Sequence, residues 1–323
     1  MRCKTLLAAI VTVAFVIAAF SGAAMGKEKV TFVVEAGNAI KTTAYKATQI
    51  MAEKGYEVDN IKTAGGSQAV QFVLAGKADV AVNDTDEVLL ARAQGADIKV
   101  FMANATKVDY TLVAANPEIK EAKDLVGKTI GMSGPSGFDT LMGRVYMQQN
   151  GLDPDSAKWT VVGGSPDRMK ALQVGRIDAA TIFIPHYLQL VAMNAKIHKV
   201  LNMAEIVPDV LKGVYYARTK WIEENPEIVK DIIRSQLEAI KWFHEDKEGW
   251  KKLAAEWQPG IKDSALELLY NELLAVDMFP MDGGLKKAGA NKMVDLMLET
   301  GDLKKSIPLD EWMTFKNFDE VMK

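Results

Sequence analysis

Residues 56–83, YEVDNIKTAGGSQAVQFVLAGKADVAVN, decide the fold, because their pattern returns at residues 159–183 as WTVVGGSPDRMKALQVGRIDAATIF. In both stretches an apolar, β-branched run enters two glycines and a serine, Gly65-Gly66-Ser67 and then Gly163-Gly164-Ser165. A helix-like segment follows. Next come Gly76-Lys77-Ala78-Asp79 and Gly175-Arg176-Ile177-Asp178, each leading into another apolar run. The offset is 98 residues and slips to 99. Matching order, spacing and flanking strands mark an internal structural repeat. Paired glycines let the backbone turn tightly at the end of a strand, and the serine hydroxyl can cap the following helix.

Outward from this pair, strand-like and helix-like segments alternate. Strands are expected at 30–35, 56–63 and 79–83, with helices at 44–54 and from Ser67. The same grammar resumes with strands at 128–132, 159–162 and 178–183 and helices at 136–149 and from Pro166. Such alternation predicts two successive α/β units with mostly parallel central sheets flanked by helices. Ligands of open α/β sheets sit at the carboxyl ends of strands, where helix N-termini favour anions. Two such units facing one another predict a cleft.

Beyond a strand-like Val214-Tyr215-Tyr216-Ala217 the chain reads as almost wholly helical. Asn225-Pro226-Glu227 has the residues of a helix start, and Ile228, Ile232, Ile233, Leu237 and Ile240 recur at helical spacing. Further helices are expected at 264–276, 284–300 and 308–322. Their tryptophans and methionines, among them Trp250, Trp257, Met293 and Met297, are expected in the core.

At the N-terminus, Arg2 and Lys4 precede an apolar run from Leu6 to Phe20, and small residues follow to Gly26. That order is expected to be a signal peptide spanning 1–26 and cleaved after Ala24 or Gly26. The apolar run of about 15 residues is shorter than the roughly 20 of a membrane-spanning helix. Cys3, the sole cysteine, precedes the apolar run, so lipidation at a cleavage site is not expected. A soluble periplasmic protein free of lipid anchor follows. Without Arg2 and Lys4 the chain carries 37 basic and 42 acidic residues, a net charge of −5, with no basic run longer than two. Nucleic acid is therefore an unfavourable partner. Three histidines and one cysteine give poor material for a metal site, and no metal or cofactor is expected.

Signatures of catalysis are missing. Gly131-Met132-Ser133-Gly134 and Gly163-Gly164-Ser165 both run into proline rather than completing a nucleophile elbow. No phosphate-binding loop of the Walker type, dinucleotide glycine pattern or His-Glu-X-X-His occurs. Asp84 and Asp86, just past a strand end, are candidate partners for a ligand amine or else turn residues. His186, in Phe183-Ile184-Pro185-His186-Tyr187, is a candidate contact on similar grounds.

The chain resembles the type II substrate-binding proteins of ABC importers for nitrate, sulfonates, taurine and related solutes, a group that includes binders of thiamine-pyrimidine precursors. The likeness covers nearly all of the chain after the signal. Its carriers are the two glycine-glycine-serine turns with their glycine-to-aspartate sequels, the stretch Asp124-Leu125-Val126-Gly127-Lys128-Thr129-Ile130-Gly131, and Phe183-Ile184-Pro185-His186-Tyr187. The resemblance implies two lobes joined by two crossing strands near 110–115 and 213–217. Lobe one would take 27–112 and 214–323, and lobe two 113–213. It implies ligand loops at Asn38, Lys41 and Thr42, at Ser67 and Gln68, and at Asn83, Asp84 and Thr85. From the second half they are Ser133, Ser136, Gly137 and Phe138, then Ser165 and Asp167, then Phe183, His186 and Tyr187. Ser67 and Ser136 would offer hydroxyls to an oxygen-rich end, while Phe138, Tyr187 and Tyr215 would cover an apolar part. The implied partners are a small anionic or zwitterionic solute, a permease and its ATPase, with the receptor itself a monomer. The alternatives are an aromatic carboxylate or pyrimidine precursor as ligand, a tripartite secondary carrier as partner, and a periplasmic enzyme.

Overall fold

A computed structural model describes residues 28–35, 38–63, 66–135, 137–208 and 210–323. The expected signal peptide lies outside these, as does Ser136.

The first unit runs β1 (Lys29–Glu35), α1 (Thr42–Glu53), β2 (Glu57–Thr63), α2 (Gly66–Leu74), β3 (Val80–Asp84), α3 (Thr85–Ala93) and β4 (Ile98–Ala105). Then come β5 (Tyr110–Ala114), β6 (Thr129–Met132), α4 (Phe138–Gln149), β7 (Lys158–Val161), α5 (Ser165–Gln173), β8 (Ala179–Phe183), α6 (Ile184–Ala192) and β9 (His198–Asn202). Strand β10 (Gly213–Arg218) precedes the helices α7 (Thr219–Glu224), α8 (Pro226–Glu245), α9 (Lys247–Trp257), α10 (Asp263–Ala275) and α11 (Lys287–Glu299). The single helix expected over 308–322 is broken into α12 (Leu309–Trp312) and α13 (Lys316–Val321), because Met313 takes an extended conformation between them.

Two five-stranded sheets result, ordered β2-β1-β3-β10-β4 and β7-β6-β8-β5-β9. The second reproduces the first strand for strand, so the repeat read in the sequence is a repeat of topology. Both sheets are mixed. Parallel pairs join β1 to β2 and β3, but β10 runs antiparallel between β3 and β4, as β5 does between β8 and β9. The inserted strand comes in each case from the chain as it returns from the other lobe, which reverses its direction. Tyr110–Leu112, placed by the sequence reading in lobe one, pair with Thr181–Phe183 and so belong to the second sheet.

The repeated aspartates explain themselves at this level. The Asp79 carboxylate accepts the Thr31 amide at 2.9 Å, while the Asp178 carboxylate accepts the Thr129 amide at 2.8 Å. Each ties the start of a third strand to its own first strand. The preceding Gly76 and Gly175 have φ of +68° and +66°, a left-handed conformation that ends the helix and that a side chain would strain.

Helix α8 buries Ile228, Ile232, Ile233 and Ile240, with Leu237 half-buried, as its spacing requires. Its Asn225 does not cap the helix through its side chain; the amide instead donates to the Trp221 carbonyl at 2.8 Å. Trp250 is wholly buried, and its ring meets that of Phe243 edge-on at 5.7 Å. Among the described residues no helix is long and apolar enough to cross a membrane.

Candidate ligand-binding cleft

Strands β1 and β3 end at Glu35 and Asp84, and the segments after them bring charge into the interior. Lys41 is 2% exposed, with its ammonium 3.1 Å from Asp84 Oδ1. Lys212, at the end of the segment that returns the chain to the first sheet, contacts the other Asp84 oxygen and is 1% exposed. Its ammonium also lies 4.0 Å from Asp109 Oδ1 and 4.4 Å from the centre of the Phe138 ring. One lysine thus bridges the end of β3, the outgoing connector and the helix that follows β6. The Lys212 carbonyl is fixed as well, accepting the Thr85 amide at 2.9 Å and the Thr85 hydroxyl at 3.2 Å.

Burial alone would raise the Asp84 carboxyl, but the Lys212 charge and then that of Lys41 hold it down to about 2. The same attraction works in reverse on Lys212. Burial opposes its charge, yet Asp84, Asp109 and Asp86 keep its ammonium well above the ordinary lysine range. Asp86 has no comparable partner, and burial pushes it up to about 6 despite Lys212. Asp109 is likewise raised by burial.

Across from these groups stands the wall from the second sheet. Tyr110 stacks on Phe183 with ring centres 4.4 Å apart, and Phe138 lies 5.9 Å from Tyr110. Beneath the rings, Arg168 is 1% exposed; its Nε donates to the Thr181 carbonyl at 3.1 Å, and its Nη1 lies 3.3 Å from Asp139. Asp139 in turn accepts the Ser133 amide at 3.0 Å and the Ser133 hydroxyl. A Cβ at Gly137 would fall 2.0 Å from Ser133 Oγ, so a side chain there would displace the Ser133 hydroxyl from Asp139. His186, 6% exposed on the first turn of α6, leaves Nδ1 without a partner. Burial, then the nearby Arg168, lowers its imidazole to about 4.

The His186 shift gives a testable pH dependence. Its folded value lies below the ordinary 6.5, so its contribution to stability is whole above pH 6.5 and is lost as pH falls through 4. At 1.36 kcal/mol per unit the loss is about 3 kcal/mol. Asp86 works oppositely, its contribution being whole below 3.8 and lost as pH rises through 6. Urea unfolding between pH 7 and 4 is expected to show a shallower fall for His186→Gln than for the parent chain; identical profiles would refute the assignment.

Several of the other sequence-derived site residues are engaged in contacts within their own lobe. Tyr215 has no exposed surface: its register opposite Val82 and Met102 turns it into the lobe core, where its hydroxyl donates to Gln236. Tyr187 packs on the smaller core of Val113, Ala171 and Leu190 rather than on the cleft wall. Ser165 does not cap α5; it accepts the Phe183 amide at 2.9 Å and so fastens the end of β8. Thr42 returns its hydroxyl to Ala39, Thr85 serves Lys212, and Asp167 is exposed beside Lys170. Ser67 and Gln68 are exposed at the head of α2, where Ser67 borders a groove of about 480 Å³ between α2 and α3. The structure gathers Asn38, Lys41, Asn83, Asp84 and Asp86 toward one end of the first sheet, and Phe138, Phe183 and His186 toward one end of the second. The sequence reading missed Asp109, Tyr110, Asp139 and Lys212. A lone lysine between Leu211 and Gly213-Val214 was the available signal.

A family model described as NMT1/THI5 like matches residues 51–249. The chain belongs to that family. The matched span takes in most of both sheets of this NMT1/THI5-like chain. The nitrate/nitrite binding protein NrtA of Nostoc sp. is 28% identical over 141 residues, which are 43% of this chain and 32% of that protein. The chain therefore matches about a third of that relative's length. The taurine-binding periplasmic protein of Escherichia coli is 24% identical over 208 residues, 62% of each chain. Among solved structures, the periplasmic nitrate-binding protein NrtA from Synechocystis superposes with a TM-score of 0.76 at 14% identity, covering 91% of this NMT1/THI5-like chain and 88% of the other. That likeness establishes the shared fold.

Proposed function

We propose that this chain is an exported receptor that captures a small anionic or zwitterionic organic solute, of sulfonate, taurine-like or carboxylate type, and hands it to an ABC importer in the inner membrane. Lobe one would comprise 28–109 and 213–323, lobe two 110–202, and the receptor would act as a periplasmic monomer without chemical turnover. The observation that carries this reading is the convergence, in a member of this family, of strand ends from both sheets on Lys212 and its aromatic neighbours. Concave sites with a few fixed polar groups among apolar walls are the usual form of a solute pocket. The relatives named for nitrate and taurine support the solute class. Mass spectrometry of protein purified under native conditions tests it: an unaltered small solute released on denaturation is expected, and turnover of that solute would sink the reading.

A second ligand reading, an aromatic carboxylate or a pyrimidine precursor, is favoured by the Tyr110–Phe183 stack with Phe138 beside it. Displacement of the retained solute by such a compound, but not by taurine, would select it. Exposed Ser67, and Ser136, which precedes α4 in sequence, are the proposed hydroxyl contacts to the oxygen-bearing end. Ser67→Ala and Ser136→Ala should each weaken binding by about 1 kcal/mol or more with the melting temperature unchanged. Calorimetric affinities equal to the parent's in both variants would remove these contacts.

A further inference from the structure

Among the described residues the cluster is one cation short. Lys41 and Lys212 face three carboxylates, Asp84, Asp86 and Asp109, while Arg168 is matched by Asp139 at 3.3 Å. Asp84, expected from the sequence to meet a ligand amine, is already held between both lysines. Asp86 and Asp109 are different. They are 6% and 3% exposed, and Oδ1 of each accepts no hydrogen bond among the described residues; Asp109 has Lys212 at 4.0 Å. Two amide nitrogens nearby in the fold, Asn38 Nδ2 and Asn83 Nδ2, are 2% and 1% exposed and donate to nothing. The Asn38 orientation is fixed, since its oxygen accepts the Ile40 amide at 3.0 Å. Buried polar atoms are seldom left unpaired, and several of both kinds in one region mark the groups a ligand completes.

We infer that the solute carries a protonated nitrogen which binds against Asp86 and Asp109, its oxygen-bearing end lying toward Asn38 and Asn83. This rests on the receptor reading and narrows it. With all groups ionised the two lysines and three carboxylates sum to −1, so a simple anion such as nitrate would deepen the imbalance, whereas an ammonium, amidinium or protonated ring nitrogen cancels it. Tyr110 and Phe138 already face the Lys212 ammonium, and Phe183, stacked on Tyr110, adds aromatic surface that favours a second desolvated cation. Burial raises Asp86 and Asp109 despite the pull of Lys212 and of neighbouring backbone amides, so the charge present does not fully compensate them.

Matched probes test this. Taurine is compared with isethionate, its hydroxyl counterpart, and para-aminomethylbenzoate with para-hydroxymethylbenzoate, by titration calorimetry at pH 6 in two buffers of different ionisation enthalpy, with nitrate alongside. An amino member is expected to bind at least about tenfold more tightly than its hydroxyl twin and to release protons on binding. Asp86→Asn and Asp109→Asn should each move that ratio toward one. Equal affinity within both pairs, or a ratio untouched in both variants, overturns the inference. Binding confined to nitrate and the hydroxyl twins overturns it too, while leaving the receptor reading intact. Silence with every probe overturns both.

Discussion

Lys212→Met is expected to lower the free energy of unfolding by about 3–5 kcal/mol, because it strands buried carboxylates without their cation. Asp84 is the one most affected, since its low value depends first on Lys212. Asp109 and Asp86 lose their attraction at the same time. Urea denaturation at pH 7.5 measures the effect. Two controls identify its origin. Lys212→Met combined with Asp84→Asn should recover much of the loss, and the single variant should regain stability as pH falls and the stranded acids take up protons. A single variant as stable as the parent at pH 7.5 would show that Lys212 does not compensate these acids.

A loss of similar size, about 3–5 kcal/mol, is expected for Arg168→Met. Its guanidinium serves α5, β8 and the turn before α4 together, through the Gly163 carbonyl, the Thr181 carbonyl and Asp139. Removing it leaves Asp139, 3% exposed, as an unmatched acid and frees the Ser133 turn that Asp139 holds. Two readouts separate this from loss of packing alone. Solute affinity should fall more than tenfold, and the imidazole of His186 should titrate closer to 6.5, since the charge that helps burial lower it has gone. Proton NMR of the histidine ring follows the second directly; an unmoved His186 would contradict the assignment.

The topology was legible because the repeat is written in residues with local consequences. Gly76 and Gly175 each end a helix in a conformation that glycine tolerates, and Asp79 and Asp178 each make the same amide contact. Such features act within one lobe, and the glycines within their own turns, so a repeated spacing reveals them. The cleft was less legible. Asp109 and Lys212 are 103 positions apart in sequence, and nothing local shows that two connectors pass side by side and bring them to 4.0 Å. Ser165 illustrates the same limit from the other direction. A serine ahead of a helix reads as a cap, but the amide it accepts comes from Phe183, on a strand brought alongside by the sheet. Tyr215 was misplaced because strand alternation gives two faces and the sequence alone does not say which one the C-terminal helices cover.

The placement of β10 also sets an order of assembly. All strands of the second sheet lie between Tyr110 and Asn202, so that lobe holds its complete hydrogen-bonded framework as soon as this stretch of chain is available. The first sheet cannot: β3 and β4 flank an interior position that Gly213–Arg218 fill, and those residues come after every strand of the second sheet. A chain made available from its N-terminus therefore presents every strand of the second sheet before β10 can complete the first. The same strand is preceded directly by Lys212, so closing the first sheet and delivering the cation that quiets the buried acids are one event.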